Sequence, residues 1–130
     1  MTITVSVSVD VPSLAQGVAF YCAAFGFSKK SEPVPSVAVL HGLNIELCLL
    51  EKPAGSKPSP ATADRRKFER HWTPVHLDFH VEDLRAALQR VEAHGAKCEQ
   101  IFENPEHGSA AFCSDPFGNG FCLLERKGKQ

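Results

Sequence analysis

The chain repeats itself. Residues 5–14 laid over residues 75–84 put apolar on apolar and polar on polar almost throughout, without a gap. Further on, Leu47-Cys48-Leu49-Leu50-Glu51 is echoed by Phe121-Cys122-Leu123-Leu124-Glu125. A duplication with a period of about 70 residues means that one supersecondary unit is built twice. The unit can be read from its patterning. Ile3, Val5, Val7 and Val9 alternate with Thr4, Ser6, Ser8 and Asp10, the period of a strand with one apolar and one polar face. Pro12 stops it, and Ser13 with Gln16 forms a capping box. Leu14, Val18, Cys22 and Phe25, with Tyr21 alongside, then predict an amphipathic helix over residues 13–25 that Gly26 closes. Strands follow over 27–32, 36–41 and 44–50, with a turn at Gly42.

The second copy restarts after a connector, residues 52–73, marked by Pro53, Gly55, Pro58 and Pro60 and by a charged stretch, 64–70, that has the makings of a short helix. Val75-His76-Leu77-Asp78-Phe79-His80-Val81 alternates as the first strand did. Asp83 caps a helix with Leu84, Leu88 and Val91 on its stripe, and Gly95 ends it. Strands are expected over 97–103, 110–114 and 120–125. The fold class is therefore α+β: two β-α-β-β-β repeats, residues 1–51 and 74–126, within one domain spanning 1–130. Helices covering one face of mixed sheets explain why only one side of each strand is apolar.

Composition narrows the function classes. A formal net charge of -1 gives no footprint for nucleic acid. No apolar run reaches the roughly 20 residues of a membrane span, and the N-terminus lacks the pattern of a signal peptide. The five cysteines are odd in number, scattered and without a Cys-x-x-Cys pair, which points to free thiols in a reducing cytoplasm, mostly as core filler.

With Phe20-Tyr21 and Phe25-Gly26-Phe27 at the end of the first helix, and Asp115-Pro116-Phe117-Gly118-Asn119 before the last strand, the order of elements resembles the vicinal oxygen chelate superfamily. That group includes glyoxalase I, bleomycin resistance proteins, fosfomycin resistance enzymes and extradiol dioxygenases. The resemblance covers nearly the whole chain. It implies paired units whose sheets form a cupped surface with helices on the outer face, and, in metal-dependent members, four ligands lining the cup. By the same resemblance the metal positions fall on Ser6, Glu46, His76 and Cys122. Glu46 is placed by its spacing from Gly42, whereas the internal repeat matches Cys122 with Cys48 instead.

Strand alternation puts His76, Asp78 and His80 on one polar face and Ser6, Ser8 and Asp10 on its counterpart. Serine is a poor ligand for first-row metals, and a thiol stands at position 122 where the family has a carboxylate. His76 and Glu46, with Cys122 as third donor, make an incomplete set. Metal-free binding of a small organic molecule is the first expectation, with no cofactor; a divalent metal (Zn, Ni, Mn or Fe) is the alternative. In the first case Ser6, Asp78, Cys122, Trp72 and Phe112 contact the ligand, with Trp72 as a stacking plate. In the second, His76 and Glu46 serve a glyoxalase-type lyase or isomerase, as metal ligands or as an acid–base pair. Ring-cleaving dioxygenase chemistry fits less well, because position 6 offers no imidazole and position 122 no carboxylate. A module with no ligand is the third class. Partners other than a small molecule reduce to a second copy of the chain, in a homodimer that covers exposed strand edges.

Overall fold

The computed structural model describes residues 2–126; Met1 and residues 127–130, the outer ends of the expected domain, lie outside the described residues. The chain divides into two compact units between Phe68 and Glu69. Each unit repeats the same order of elements. The first runs β1 (Ser6–Val11), α1 (Leu14–Phe25), β2 (Ser28–Val34), β3 (Val37–His41) and β4 (Glu46–Glu51). The second runs β5 (Leu77–Val81), α2 (Leu84–Ala93), β6 (Lys97–Phe102), β7 (Ser109–Ser114) and β8 (Gly120–Glu125). The sheet orders are β1-β4-β3-β2 and β5-β8-β7-β6, so the first strand of each unit pairs in parallel with its last, and the other pairs are antiparallel. This is the α+β duplication that the sequence predicts.

In the first unit Val11, Ala38, Leu40, Leu47 and Leu49 are fully covered and form the core beneath α1. The helix meets them through Leu14, Gly17, Phe20, Tyr21 and Ala24. The expected stripe through Val18, Cys22 and Phe25 is therefore turned aside. Gly17 eases the approach on this face: a Cβ there would stand 3.1 Å from both γ-carbons of Val11 and 3.2 Å from a δ-carbon of Leu49, so those side chains would have to give way. Ser13 accepts from the Gln16 amide at 3.3 Å and Gly26 takes a left-handed φ of 85° past the last turn, as its sequence suggests.

The second unit packs Leu84, Leu88 and Val91 of α2 with Ala111, Cys113, Phe121 and Leu123. Of the five thiols only Cys113 is buried, which corrects the expectation of core filler; the other four are partly exposed. The turn before β8 is knotted around Asp115, itself 3% exposed. Its carboxylate accepts from the amides of Phe117 and Asn119, both at 2.9 Å, and from the Asn119 side chain at 3.0 Å. Gly118 sits at φ 93°, and a Cβ there would meet the Glu69 carbonyl oxygen at 2.2 Å.

No helix forms over 64–70. Arg66 instead exchanges backbone bonds with the stretch before it, Gly55 N–H to its carbonyl and its N–H to the Ser56 carbonyl, both 2.8 Å. The Arg66 side chain closes the loop on β1 through Asp10 at 2.7 Å. These three bonds tie the loop down without a helix, and prolines at 53, 58 and 60 disfavour one upstream.

Candidate functional site

β5 and β8 place the candidate chemistry in the second unit. On β8 Phe121 and Leu123 point into the core, so alternation sends Gly120, Cys122 and Leu124 to the opposite face. Asp78 is the register partner of Cys122 across the parallel pair, and Phe112 is its partner across the antiparallel one. Gln100 faces Phe112 in turn. One row thus crosses four strands, Asp78–Cys122–Phe112–Gln100, followed by His80–Leu124–Ala110–Phe102. The row carries polar donors at one end. Phe112 and Phe102 stand farther along as an edge-to-face pair, with ring centroids 5.1 Å apart and both rings partly exposed.

His76 precedes the first residue of β5, which starts two positions later than the alternation suggests. Its Nδ1 lies 3.0 Å from Asp78 Oδ1, with both side chains about half exposed. Donor atoms of His76, Asp78 and Cys122 all fall within 4.8 Å of one another. The Cys122 thiol is held above its ordinary range, first by burial and then by the neighbouring Asp78 carboxylate, which is both a negative charge and a hydrogen-bond partner. Asp78, which the sequence offers as a ligand contact and not as a metal position, is thereby the hub of the cluster.

The first unit differs at the matching places. Ser6 pairs with Glu46 and Ser8 with Cys48. Since Asp78 pairs with Cys122, the register settles the two alignments of the repeat in favour of Cys48 as the counterpart of Cys122. The carboxylate of Glu46 is engaged by Lys30 at 2.6 Å. That bond and the lysine charge hold Glu46 below the usual carboxylate range. Trp72 stands 79% exposed.

Arg70 has no sequence motif to announce it. Its guanidinium lies over Gly120, where a Cβ would come within 3.0 Å, and reaches Glu99 through Nε at 2.5 Å and a second nitrogen at 3.2 Å. Arg70 also donates to the His71 carbonyl. The only local sign is Gly120 itself, the absent side chain beside Cys122.

The sequence matches the glyoxalase-like domain family over residues 6–124. The chain belongs to that family, within the vicinal oxygen chelate superfamily. Solved structures agree in fold with this glyoxalase-like protein. The fosfomycin resistance protein FosX from Listeria monocytogenes, in a mutant form complexed with Mn(II) and 1S,2S-dihydroxypropylphosphonic acid, is 15% identical, with 98% of this chain and 92% of that one covered and a TM-score of 0.73. Lactoylglutathione lyase from Agrobacterium tumefaciens is 17% identical, covering 94% and 92% with a TM-score of 0.64. A glyoxalase-related enzyme from Fulvimarina pelagi is 15% identical, covering 95% and 88% with a TM-score of 0.70. No curated protein matches the chain significantly. Among the described residues no helix is long and apolar enough to cross a membrane.

A divalent metal is the group that this family implies. The residues of the second unit fit one chemically: an imidazole, a carboxylate and a thiol are all zinc ligands. The 3.0 Å between His76 Nδ1 and Asp78 Oδ1 is the distance of a direct imidazole–carboxylate contact.

Proposed function

We propose that this glyoxalase-like protein binds a small organic molecule with a polar head and an apolar, preferably aromatic, tail. The observation that carries the reading is the row Asp78–Cys122–Phe112, which sets hydrogen-bonding groups and an exposed ring side by side on one sheet face. Neighbouring strands are about 4.8 Å apart, so a head at Asp78 and a ring at Phe112 are separated by about the length of a phenyl-substituted diol. The head would meet His76, Asp78 and Cys122; the tail would lie on Phe112 and Phe102. A ring half-covered in this way gains on the order of 1.4 kcal/mol, about tenfold in affinity.

The test is a titration of isotope-labelled protein, in chelator, with phenylethylene glycol and with ethylene glycol. The phenyl compound should shift the amides of Asp78, Cys122 and Phe112 saturably and bind about tenfold tighter. Phe112→Ala should erase that difference. Absence of saturable shifts on β5 and β8 rejects the reading.

A second reading treats the face as catalytic. Nδ1 of His76 directed at Asp78 leaves Nε2 to exchange a proton with a bound carbonyl compound, the arrangement of an oriented general base. A bound metal would add polarisation of the carbonyl oxygen. Exchange of the protons beside the carbonyl of acetophenone, followed by magnetic resonance in deuterated water, measures it. His76→Ala should reduce the rate to that of buffer; equal rates in both proteins exclude the base.

A homodimer completes the proposal. Ile3, Val5 and Val75 lead into β1 and β5, each an outermost strand of its own sheet, and are the kind of exposed apolar surface that a second copy would cover.

A further inference from the structure

We infer that Cys98 and Cys113 form a dithiol pair that a peroxide joins into a reversible bridge between β6 and β7. The two are register partners on antiparallel strands, so their side chains leave the sheet on the same side. Cα atoms placed opposite each other in this way are about 4.5 to 5.5 Å apart, inside the roughly 4.4 to 6.8 Å that disulfides span. Opposed Cβ atoms, at about 4.5 to 5.5 Å, stand slightly wide for a bridge. The register breaks between Cys98 and Gln100, and there the strand has the slack to close that gap. The Cys98 S–H points to the Gln100 carbonyl oxygen at 4.0 Å, which leaves the sulfur lone pairs to the facing Cys113 thiol. Among the described residues no other two thiols are register partners. Cys48 faces Ser8 and Val39, Cys122 faces Asp78 and Phe112, and Cys22 lies on α1.

The duplication supplies an internal comparison. In the first unit the same ladder positions hold Lys29 and Leu40, with Leu40 opposite Leu47 as Cys113 is opposite Phe121. A thiol in place of a buried leucine is core filling; a second thiol facing it, where the other unit has a lysine, is not. Access sets the order of steps, since Cys98 is partly exposed and Cys113 only 1% exposed. The Cys98 sulfur attacks the peroxide and breaks its O–O bond; one oxygen leaves as water and the other remains as Cys98 S–OH. The Cys113 sulfur then displaces that oxygen, and the Cys113 proton departs with it as a second water. Two thiols and one hydrogen peroxide give one disulfide and two waters, with two electrons passing from sulfur to oxygen. Burial keeps the Cys113 thiol protonated, so it reacts with a sulfur already opposite it and not with the oxidant. The pair lies on the helix-covered side of the sheet, whereas Phe112, next to Cys113, belongs to the other face. The bridge therefore closes the segment 99–112, which carries Phe102 and Phe112, without using a donor of the proposed ligand face.

The experiment treats the reduced full chain with a small excess of hydrogen peroxide and follows intact mass, free thiols and urea unfolding. The mass should fall by about 2 Da, the two hydrogens lost, and two of the five thiols should cease to titrate. The urea midpoint should rise by on the order of 1 M, because the bridge constrains the unfolded segment. Dithiothreitol should restore mass and midpoint. Cys98→Ser, a change at a partly exposed position, should abolish both effects, as should Cys113→Ala, whereas Cys122→Ser should keep them. A gain of oxygen in place of the hydrogen loss, a bridge that survives Cys98→Ser, or an oxidised chain whose midpoint does not move overturns the pair. None of these readouts contains an organic ligand, so they stand or fall apart from the proposed binding.

Discussion

Cys113 is 1% exposed in β7, opposite Cys98 on β6. Its thiol is pushed up to about 12 from 9.0, mainly by burial, then by Cys98 as a charge and a hydrogen-bond partner. The consequence for stability has a definite sign. Between about pH 9 and about pH 12 the unfolded chain gives up this proton and the folded chain keeps it. Stability is therefore whole below that window and falls as pH rises through it, by at most about 1.4 kcal/mol per pH unit. Urea unfolding of the natural chain and of Cys113→Ala, from pH 8 to pH 11, should show the steeper decline in the natural chain; parallel profiles would contradict it. Individual residues were also where the sequence said least about the site. Cys122 is reached only through the family resemblance, whereas alternation assigns His76 and Asp78 to one polar face, because the pleat has a period of two whatever the tertiary context. It cannot say which residues face one another across strands, and that register is what raises Asp78 above Glu46. Arg70 was illegible for the same reason: its partners Glu99 and Gly120 come from strands far along the chain.

The elements were legible where chemistry is local. Ser13, Gly26 and Asp83 mark helix ends through their own side chains or backbone freedom. The buried face of α1 was not, since apolar residues nearly surround that helix and Gly17 carries no hydrophobic signal although it permits the closest approach. Gly17→Val should cost about 1 to 3 kcal/mol by forcing Val11 and Leu49 aside, measurable by chemical denaturation. A subtler bond recurs in both units. The final residues of β4 and β8 carry Glu51 and Glu125, whose carboxylates accept the first helical amides of α1 and α2, Leu14 at 3.0 Å and Leu84 at 2.8 Å. Each joins the last strand of a unit to its helix N-terminus, where a negative charge also opposes the helix dipole. The repeated Leu-Leu-Glu ending thus has a structural purpose. Glu125→Ala should destabilise the chain by about 1 kcal/mol, and Glu51→Ala by a similar amount; no change in the urea midpoint for either would show that solvent replaces these caps without loss.

At the scale of the whole molecule, the two sheets treat their outer strands differently, and this bears on the proposed homodimer. β2 is exposed along its full length and carries Lys29, Lys30, Glu32 and Pro33, charges and a missing amide that discourage pairing. β6 offers Lys97, Glu99 and a break in register after Cys98. β1 and β5 have no such protection at their entry, where Ile3 and Val5 are 75% and 73% exposed and Val75 is 78% exposed. A net charge of -1 gives little repulsion between copies. Association is then expected through the β1 and β5 ends, with Trp72, three residues before Val75, reporting it. Light scattering at working concentration should give twice the 14.2 kDa chain mass. Val75→Lys should shift that equilibrium toward the single chain, and dilution of the natural protein should move Trp72 emission to the red as its ring returns to water. A natural chain that scatters as a monomer, or a Val75→Lys variant that remains a dimer, would place the association elsewhere or nowhere.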